Sequence, residues 1–312
     1  MLSNATARSA KRTGHIQRSL TERICYALIL VCLTALTLIC LYPFYQVLVC
    51  SVSDPNIVMR KNSLLLWPEG FQLDAYRLVL QNKNLRSGFI NTLRYLTLGT
   101  ALQYLITTLA AYPLSLKDAM LKRPLMIYMT ITMYFSGGLI PYYLLVNQLG
   151  LINTIWVLTV PGAISVWNCI IMRTQFLSIP SSLREAAIID GAGDFTVLFR
   201  VMIPLSKAVS AVLILFTAVG YWNMWFDPMI YMTDRSGYPI QTILREILID
   251  SNEQTFSGAG QSALNLIRND LEAAKTLTKY ANIIVCTVPI LCVYPFAQKY
   301  FVKGVMVGSL KG

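Results

Sequence analysis

The stretch 176–206, FLSIPSSLREAAIIDGAGDFTVLFRVMIPLS, gathers the side chains best suited to specific contacts in this sequence of 312 residues. Ser182 and Glu185 read S-x-x-E, a capping box in which Ser182 caps a helix and Glu185 reaches back to it. Leu183, Ala186 and Ala187 then lay a short apolar stripe at i, i+3 and i+4. Asp190 interrupts the stripe at i+7, while Ile188 and Ile189 widen the apolar surface to one side. Gly191 and Gly193 stop this helix, and Asp194 is placed to cap another that starts at Phe195. Pro204 suits the first turn of the apolar helix that follows. The expectation is an amphipathic helix-turn-helix.

Bond-making chemistry is thinly represented. His15 is the only histidine, and it lies in a polar N-terminal stretch where solvation is the expected state. There is no H-E-x-x-H, no G-x-S-x-G and no pair of carboxylates inside an apolar run. A G-x-x-x-x-G-K-[ST] loop is also missing, so ATP binding by this chain is not expected. Cysteines Cys25, Cys32, Cys40, Cys50, Cys169, Cys286 and Cys292 form no C-x-x-C pair and sit in or beside apolar runs. They read as small buried hydrophobes, not as metal ligands or disulfide partners.

The elements that must carry the 176–206 segment follow from composition. Apolar residues make up 55% of the chain and charged residues 13%, against about 25% charged in a soluble domain. Charge is also segregated: runs of uncharged residues alternate with loops that hold nearly all of it. Crossing a bilayer takes about 20 apolar residues at helical rise, which explains such runs. The expected spans are 24–50, 89–115, 124–146, 155–172, 207–232 and 280–297. Polar tails at 1–23 and 298–312 flank them, and 173–206 lies between the fourth and fifth. Span three is interrupted by Gly137, Gly138 and Pro141, so a kink or half-span is expected there. The stretches 51–88 and 233–279 read as long polar loops. The first apolar run is too long for a signal peptide, and no A-x-A cleavage signal follows it.

Orientation can be read from lysine and arginine. With the N-terminus inside, inner segments hold 15 and outer segments 10, the latter all in the two long loops where the positive-inside bias is weak. Both ends are therefore expected in the cytoplasm. The net charge of +11 belongs to this pattern and to lipid headgroups, not to nucleic acid, since no aromatic-interleaved basic patch exists.

With these elements in place, a resemblance becomes specific. Glu185-Ala186-Ala187, three residues, Gly191, nine residues and Val201-x-Ile203-Pro204 resemble the E-A-A-x3-G-x9-I-x-L-P loop of ATP-binding-cassette importer permeases. Val201 and Ile203 depart from it only by aliphatic exchange. LWPEGFQLDAY, NTLRYLTLGTALQYLITTLAAYPLS and the terminal QKYFVKGVMVGSLKG are similar to the carbohydrate, maltose-permease-like branch, near the members serving polysaccharide-derived oligosaccharides. The resemblance implies an all-α, type I importer permease with multiple spans in a bacterial cell membrane. It implies a second homologous permease subunit, two ATPase subunits that carry ATP and Mg2+, and an extracytoplasmic solute-binding protein that delivers a carbohydrate. No cofactor is implied on this chain. The segment with Arg184, Glu185, Ala186, Ala187, Asp190, Gly191 and Pro204 would be the coupling helix seated on an ATPase. The alanines permit close approach there, Arg184 and Glu185 supply polar contacts, and Gly191 allows the turn. The flexible 257–260 tip of the last outer loop is a candidate contact for the binding protein.

A sugar needs aromatic faces to stack on and amides or carboxyls for its hydroxyls. Trp167 and Asn168 in span four, and Tyr221, Trp222 and Asn223 in span five, are the candidates for a substrate path. Trp222 lies about 25 Å along span five at helical rise, so an aromatic belt at the outer interface explains it equally well. Asp227 and Arg94, near span ends, read as solvated or snorkelling charges. The competing class is an ion-gradient-driven transporter. It would call for repeated broken spans and buried acids, and only Asp227 approaches that description.

Overall fold

A computed structural model describes residues 20–61, 65–253, 275–276, 278–293 and 295. The tail with His15, the 257–260 tip and the terminal QKYFVKGVMVGSLKG lie outside the described residues. Regular structure among the described residues is entirely helical. In chain order it comprises α1 Leu20–Ser51, α2 Pro55–Arg60, α3 Asp74–Gln81, α4 Lys83–Ser115, α5 Lys122–Tyr134 and α6 Leu139–Gln148. Next come α7 Ile155–Thr159, α8 Val166–Ser178, α9 Ser181–Ile189, α10 Asp194–Val197, α11 Ile203–Leu205, α12 Lys207–Trp222, α13 Phe226–Tyr231 and α14 Ile240–Glu253. A last apolar helix, α15, covers Thr278–Val293.

α1 is long and apolar enough to cross a membrane by itself, and its side chains are exposed until Val49, Cys50 and Ser51. The other crossings are built differently. α4 has 33 residues, begins on Asn82, whose side chain accepts from Asn84 N at 2.9 Å, and forms the centre of the bundle. α8, α12 and α14 all pack on it. Because protein rather than lipid covers it, α4 can bury Asn91, Thr92, Thr100, Thr107 and Thr108. Thr92 and Thr108 return their hydroxyls to the carbonyls of Gly88 and Tyr104, which satisfies them within the helix.

Apolar burial drives helix association weakly in a bilayer, so close packing and cross-helix hydrogen bonds decide the register. Tyr104 donates to Ser210 Oγ at 2.8 Å, joining α4 to α12. Arg173 Nε donates to Leu114 O at 2.9 Å, joining α8 to α4. Glycine supplies the close approaches. Tyr221 lies over Gly99, where a Cβ would clash with its ring, and Ile240 and Ile243 of α14 lie over Gly88 in the same way. The start of α14 is capped from α4: Ile240 N donates to Thr92 Oγ1 at 2.9 Å, and Tyr95 and Asn91 donate to Gly237 O and Ser236 O.

The interruption expected in span three is present: it is two helices, α5 and α6, bent by 114° at Phe135–Gly138. Gly138 has φ +85°, a conformation that L side chains rarely adopt, and the chain cannot run straight through it. Several other expectations are corrected. Span four is α7 and a 3-10 turn, Pro161–Ala163, followed by α8 at 45°. Span five stops at Trp222 and resumes as α13 after Asn223. The 51–88 loop contains α2 and α3, and the described part of the 233–279 loop is mostly α14. Ile240, Ile243, Leu244 and Ile247 give α14 an apolar face at i, i+3, i+4 and i+7, which packs on Ala75, Val79 and Leu85. Among the cysteines, Cys50, Cys169 and Cys286 are buried, but Cys25, Cys32, Cys40 and Cys292 are exposed on apolar helices whose outer faces need no covering in lipid.

Replacing Gly99 by valine is expected to force Tyr221 off α4 and cost about 1–3 kcal/mol as overpacking. The unfolding midpoint of the purified protein in detergent should fall. Gly220→Ala, where nothing lies within 4 Å of the new Cβ, should leave it unchanged or raise it.

Candidate functional site

The 176–206 segment folds as a helical hairpin across one end of the bundle. Pro180, at φ −56° and ψ 130°, turns the chain out of α8 and occupies the cap position of α9. Ser182 therefore lies inside the first turn, and the capping box with Glu185 does not form, because a helical residue cannot turn its hydroxyl onto the N-terminal amides. The other end of α9 is a Schellman turn: Gly191 N donates to Ile188 O at 2.9 Å and Ala192 N to Ala187 O at 2.9 Å. Gly191 stands at φ +85°, so its glycine identity sets the turn.

Asp194 is also placed differently from expectation. Gly193 takes the cap position, and Asp194 begins α10. Its carboxylate accepts the Tyr112 hydroxyl at 3.0 Å and stands 4.0 Å from Arg184 Nη2. This ties both arms of the hairpin to the end of α4. Arg184 leans back into the bundle, where its Nε is buried without a hydrogen-bond partner. The return arm runs through a π-helical turn, Leu198–Met202, into α11. Pro204 sits there, two residues before an 87° corner at Ser206, and not in the first turn of α12.

The hairpin has a buried side and an exposed tip. Val197, Leu198 and Met202 join Ala111, Tyr112, Met172 and Phe176 in one core cluster, with Ala187 and Ala192 packed against it. Tyr112 meets Phe176 edge-on at 6.4 Å. Glu185, Ala186, Asp190 and Gly191 are exposed, and Ile189 and Phe195 are 85% and 71% exposed. Two apolar side chains this bare, beside a charged pair and a tight turn, make a surface suited to contact with protein. Phe195 and Tyr112 were not singled out from the sequence. Phe195 lies two residues after Gly193 of the glycine stop, which is the available signal, whereas the role of Tyr112 depends on a contact 82 residues away.

A second feature is a cavity of about 1120 Å³ at the far end of α12. It is walled by the α5–α6 break at Ser136–Leu139, by Pro161 and Gly162 where α7 meets α8, and by the α12–α13 break. Asn168, Tyr221 and Asn223 line it, as do Gln103, Trp225 and Asp227. Asn168 Nδ2 donates to Thr217 Oγ1 at 3.3 Å, and Gln103 Nε2 to Gly162 O at 2.8 Å. Trp222 is buried against Phe89, edge-on at 5.9 Å, and does not line the cavity. Trp167 is 58% exposed and is not in the lining either. The wall thus offers aromatic rings, amides and one carboxylate, a chemistry suited to polyhydroxylated ligands. Among the described residues, no cluster of histidine, cysteine and carboxylate side chains could hold a metal ion.

Comparison with known proteins agrees with this geometry. Residues 86–307 match the family described as binding-protein-dependent transport system inner membrane component. The polygalacturonan/rhamnogalacturonan transport system permease protein YtcP of Bacillus subtilis is 38% identical over 88% of this chain and 94% of its own length. Protein LplC of the same organism is 35% identical over 93% of this chain and 94% of its own. Among solved structures, one described as a bacterial ABC transporter involved in the import of the acidic polysaccharide alginate superposes with a TM-score of 0.81. That match has 30% identity over 91% of this chain and 99% of the other. The chain belongs to the inner-membrane components of binding-protein-dependent transport systems: it is a permease of an ATP-driven importer and not an enzyme, and it works with a solute-binding protein and separate ATPase subunits.

Proposed function

We propose that this permease passes a carbohydrate, an oligosaccharide released from a polysaccharide, and that the α9 tip couples its passage to ATP hydrolysis on the partner subunits. The observation that carries the coupling is the build of the hairpin, with a bare tip at Glu185, Ile189, Gly191 and Phe195 on a base locked into the core by Val197, Leu198 and Met202. A load on the tip reaches α4 through the Tyr112–Asp194 hydrogen bond and α12 through the Ser206 corner. α12 has 16 residues and spans roughly 24 Å at helical rise, ending in the break that lines the cavity. The hairpin base and the cavity are therefore joined by α12, one uninterrupted helix.

The carbohydrate assignment is supported by the cavity lining and by the cargo named for similar permeases. These include YtcP and the melibiose/raffinose/stachyose import permease protein MelC of Bacillus subtilis, which is 25% identical to this chain over 86% of it. In the assembly we propose, a second homologous permease closes the cavity and two ATPases bind ATP and Mg2+. Each ATPase receives one coupling helix, and a binding protein delivers the sugar from outside. Both termini then face the cytoplasm, the orientation that the lysine and arginine distribution favours.

Reconstituted in liposomes with its partners, the Glu185→Lys plus Gly191→Asp variant should lose sugar-stimulated ATP hydrolysis by at least about tenfold, equivalent to 1.4 kcal/mol of coupling. Gly193→Ala, at an ordinary φ with open space around it, should retain it. Full coupled transport by the double variant would remove the coupling role from α9. For the cargo, the cognate binding protein is expected to gain thermal stability with oligosaccharides. Stabilisation by amino acids or metal ions alone would end the carbohydrate reading.

A further inference from the structure

Trp225 lies in the break between α12 and α13, at φ −132° and ψ −30°, and its backbone is held by α14: Thr242 Oγ1 donates to Trp225 O at 3.1 Å. Its ring is held too. The Arg245 guanidinium carbon sits 3.4 Å from the indole centroid, and Phe226 packs edge-on at 5.4 Å and 81°. The neighbouring carboxylate is not available to Arg245, since Glu246 pairs with Arg235 at 3.0 Å. Arg245 Nε is buried with no hydrogen-bond partner. A partly buried cation that forgoes hydrogen bonds in this way is costly, and the indole face is what it receives in exchange.

The cavity runs along the same residue. Trp225 lines it together with Asn223, Asp227, Tyr142 and Tyr231, and no lysine or arginine is in the lining. We infer that Trp225 is a stacking subsite for a sugar ring, and that Arg245 is a positioning residue that fixes its indole from behind. The guanidinium covers one face of the indole, and the residue borders the cavity. The negative ring face that attracts the guanidinium on one side is the same chemistry that attracts the weakly positive C–H bonds of a pyranose on the other. Asn223 and Asp227 then stand within reach of the hydroxyls at the ring edge. α14 thereby acquires a role: it holds the rim of the cavity in shape through Thr242 and Arg245.

This subsite rests on the carbohydrate reading, and its test separates the two. The complete transporter is reconstituted with its binding protein, loaded with whichever oligosaccharide that protein retains. Sugar transported per ATP hydrolysed is then measured. Trp225→Ala is expected to lower the ratio about tenfold while binding-protein-stimulated hydrolysis persists, since the coupling hairpin is at the other end of α12. Trp225→Phe should restore most of the ratio by returning an aromatic face. Arg245→Ala should lower it by a smaller factor, with Arg245→Lys between the two, because an ammonium can still sit over the ring but cannot stack flat. An unchanged ratio in Trp225→Ala overturns the subsite. So does equal failure of the Phe and Ala variants, or a parallel fall of hydrolysis and uptake, which would make Trp225 a packing residue. A binding protein that retains no sugar overturns the carbohydrate reading and the subsite with it.

Discussion

Backbone amides and carbonyls have no water to turn to inside a bilayer, so a spanning helix can be broken only where protein or a wet cavity meets the freed groups. This chain breaks three of its spans, at Phe135–Gly138, at Pro161–Ile164 and at Asn223–Trp225. All three breaks line one cavity. Their convergence is what the constraint requires, and it converts a helix bundle into a path. A straight six-helix bundle would satisfy its backbone equally well and would conduct nothing.

α4 makes the convergence possible. It is the most buried of the helices, and it presents glycines where α12 and α14 must approach and hydroxyls where their termini need partners. Gly99 admits Tyr221, whose ring brings the last turn of α12 against α4 just before the helix ends at the cavity. At its other end Tyr112 holds Asp194 of the α9–α10 hairpin. One helix therefore registers both the cavity rim and the hairpin tip, so displacement at either is referred to a common frame. The polarity of α4, which would be unfavourable on a lipid-facing helix, is the price of that position.

Much of this could be read from the sequence because the bilayer simplifies the problem. Apolar run length marked the helical stretches, and the Glu185-to-Pro204 spacing carried the resemblance to the family whose model matches. Three things escaped. Helix ends were misplaced where a proline or glycine competed with a polar cap, as at Pro180 over Ser182 and Gly193 over Asp194. α14 was read as loop because its polar face dominated the average, although Ile240, Ile243, Leu244 and Ile247 carry a helical period. Trp222 is the candidate the sequence offers where Trp225 lines the cavity, since a run of aromatics at a helix end says nothing about which ring faces it. Only the break at Asn223 turns Trp225 to the wall and leaves Trp222 against Phe89.

The placement of breaks also bears on how the chain can move. α12 is uninterrupted, is bounded by a corner at Ser206 and a break at Asn223, and is fixed to α4 between them by Tyr104–Ser210 and the Gly99 contact. Rotating such a segment needs changes in a few backbone dihedrals at its two ends and none within it, the pattern of a hinge-bounded rigid body. The π-helical turn at Leu198–Met202 places one extra residue in the hairpin arm just before the first hinge. Had the corner at Ser206 been a continuous helix, a push on the tip would have translated all of α10 to α12 across the membrane, against the lipid. Because it is a corner, the hairpin arm and α12 are two segments that meet at 87°, and the backbone dihedrals around Ser206 alone set the angle between them.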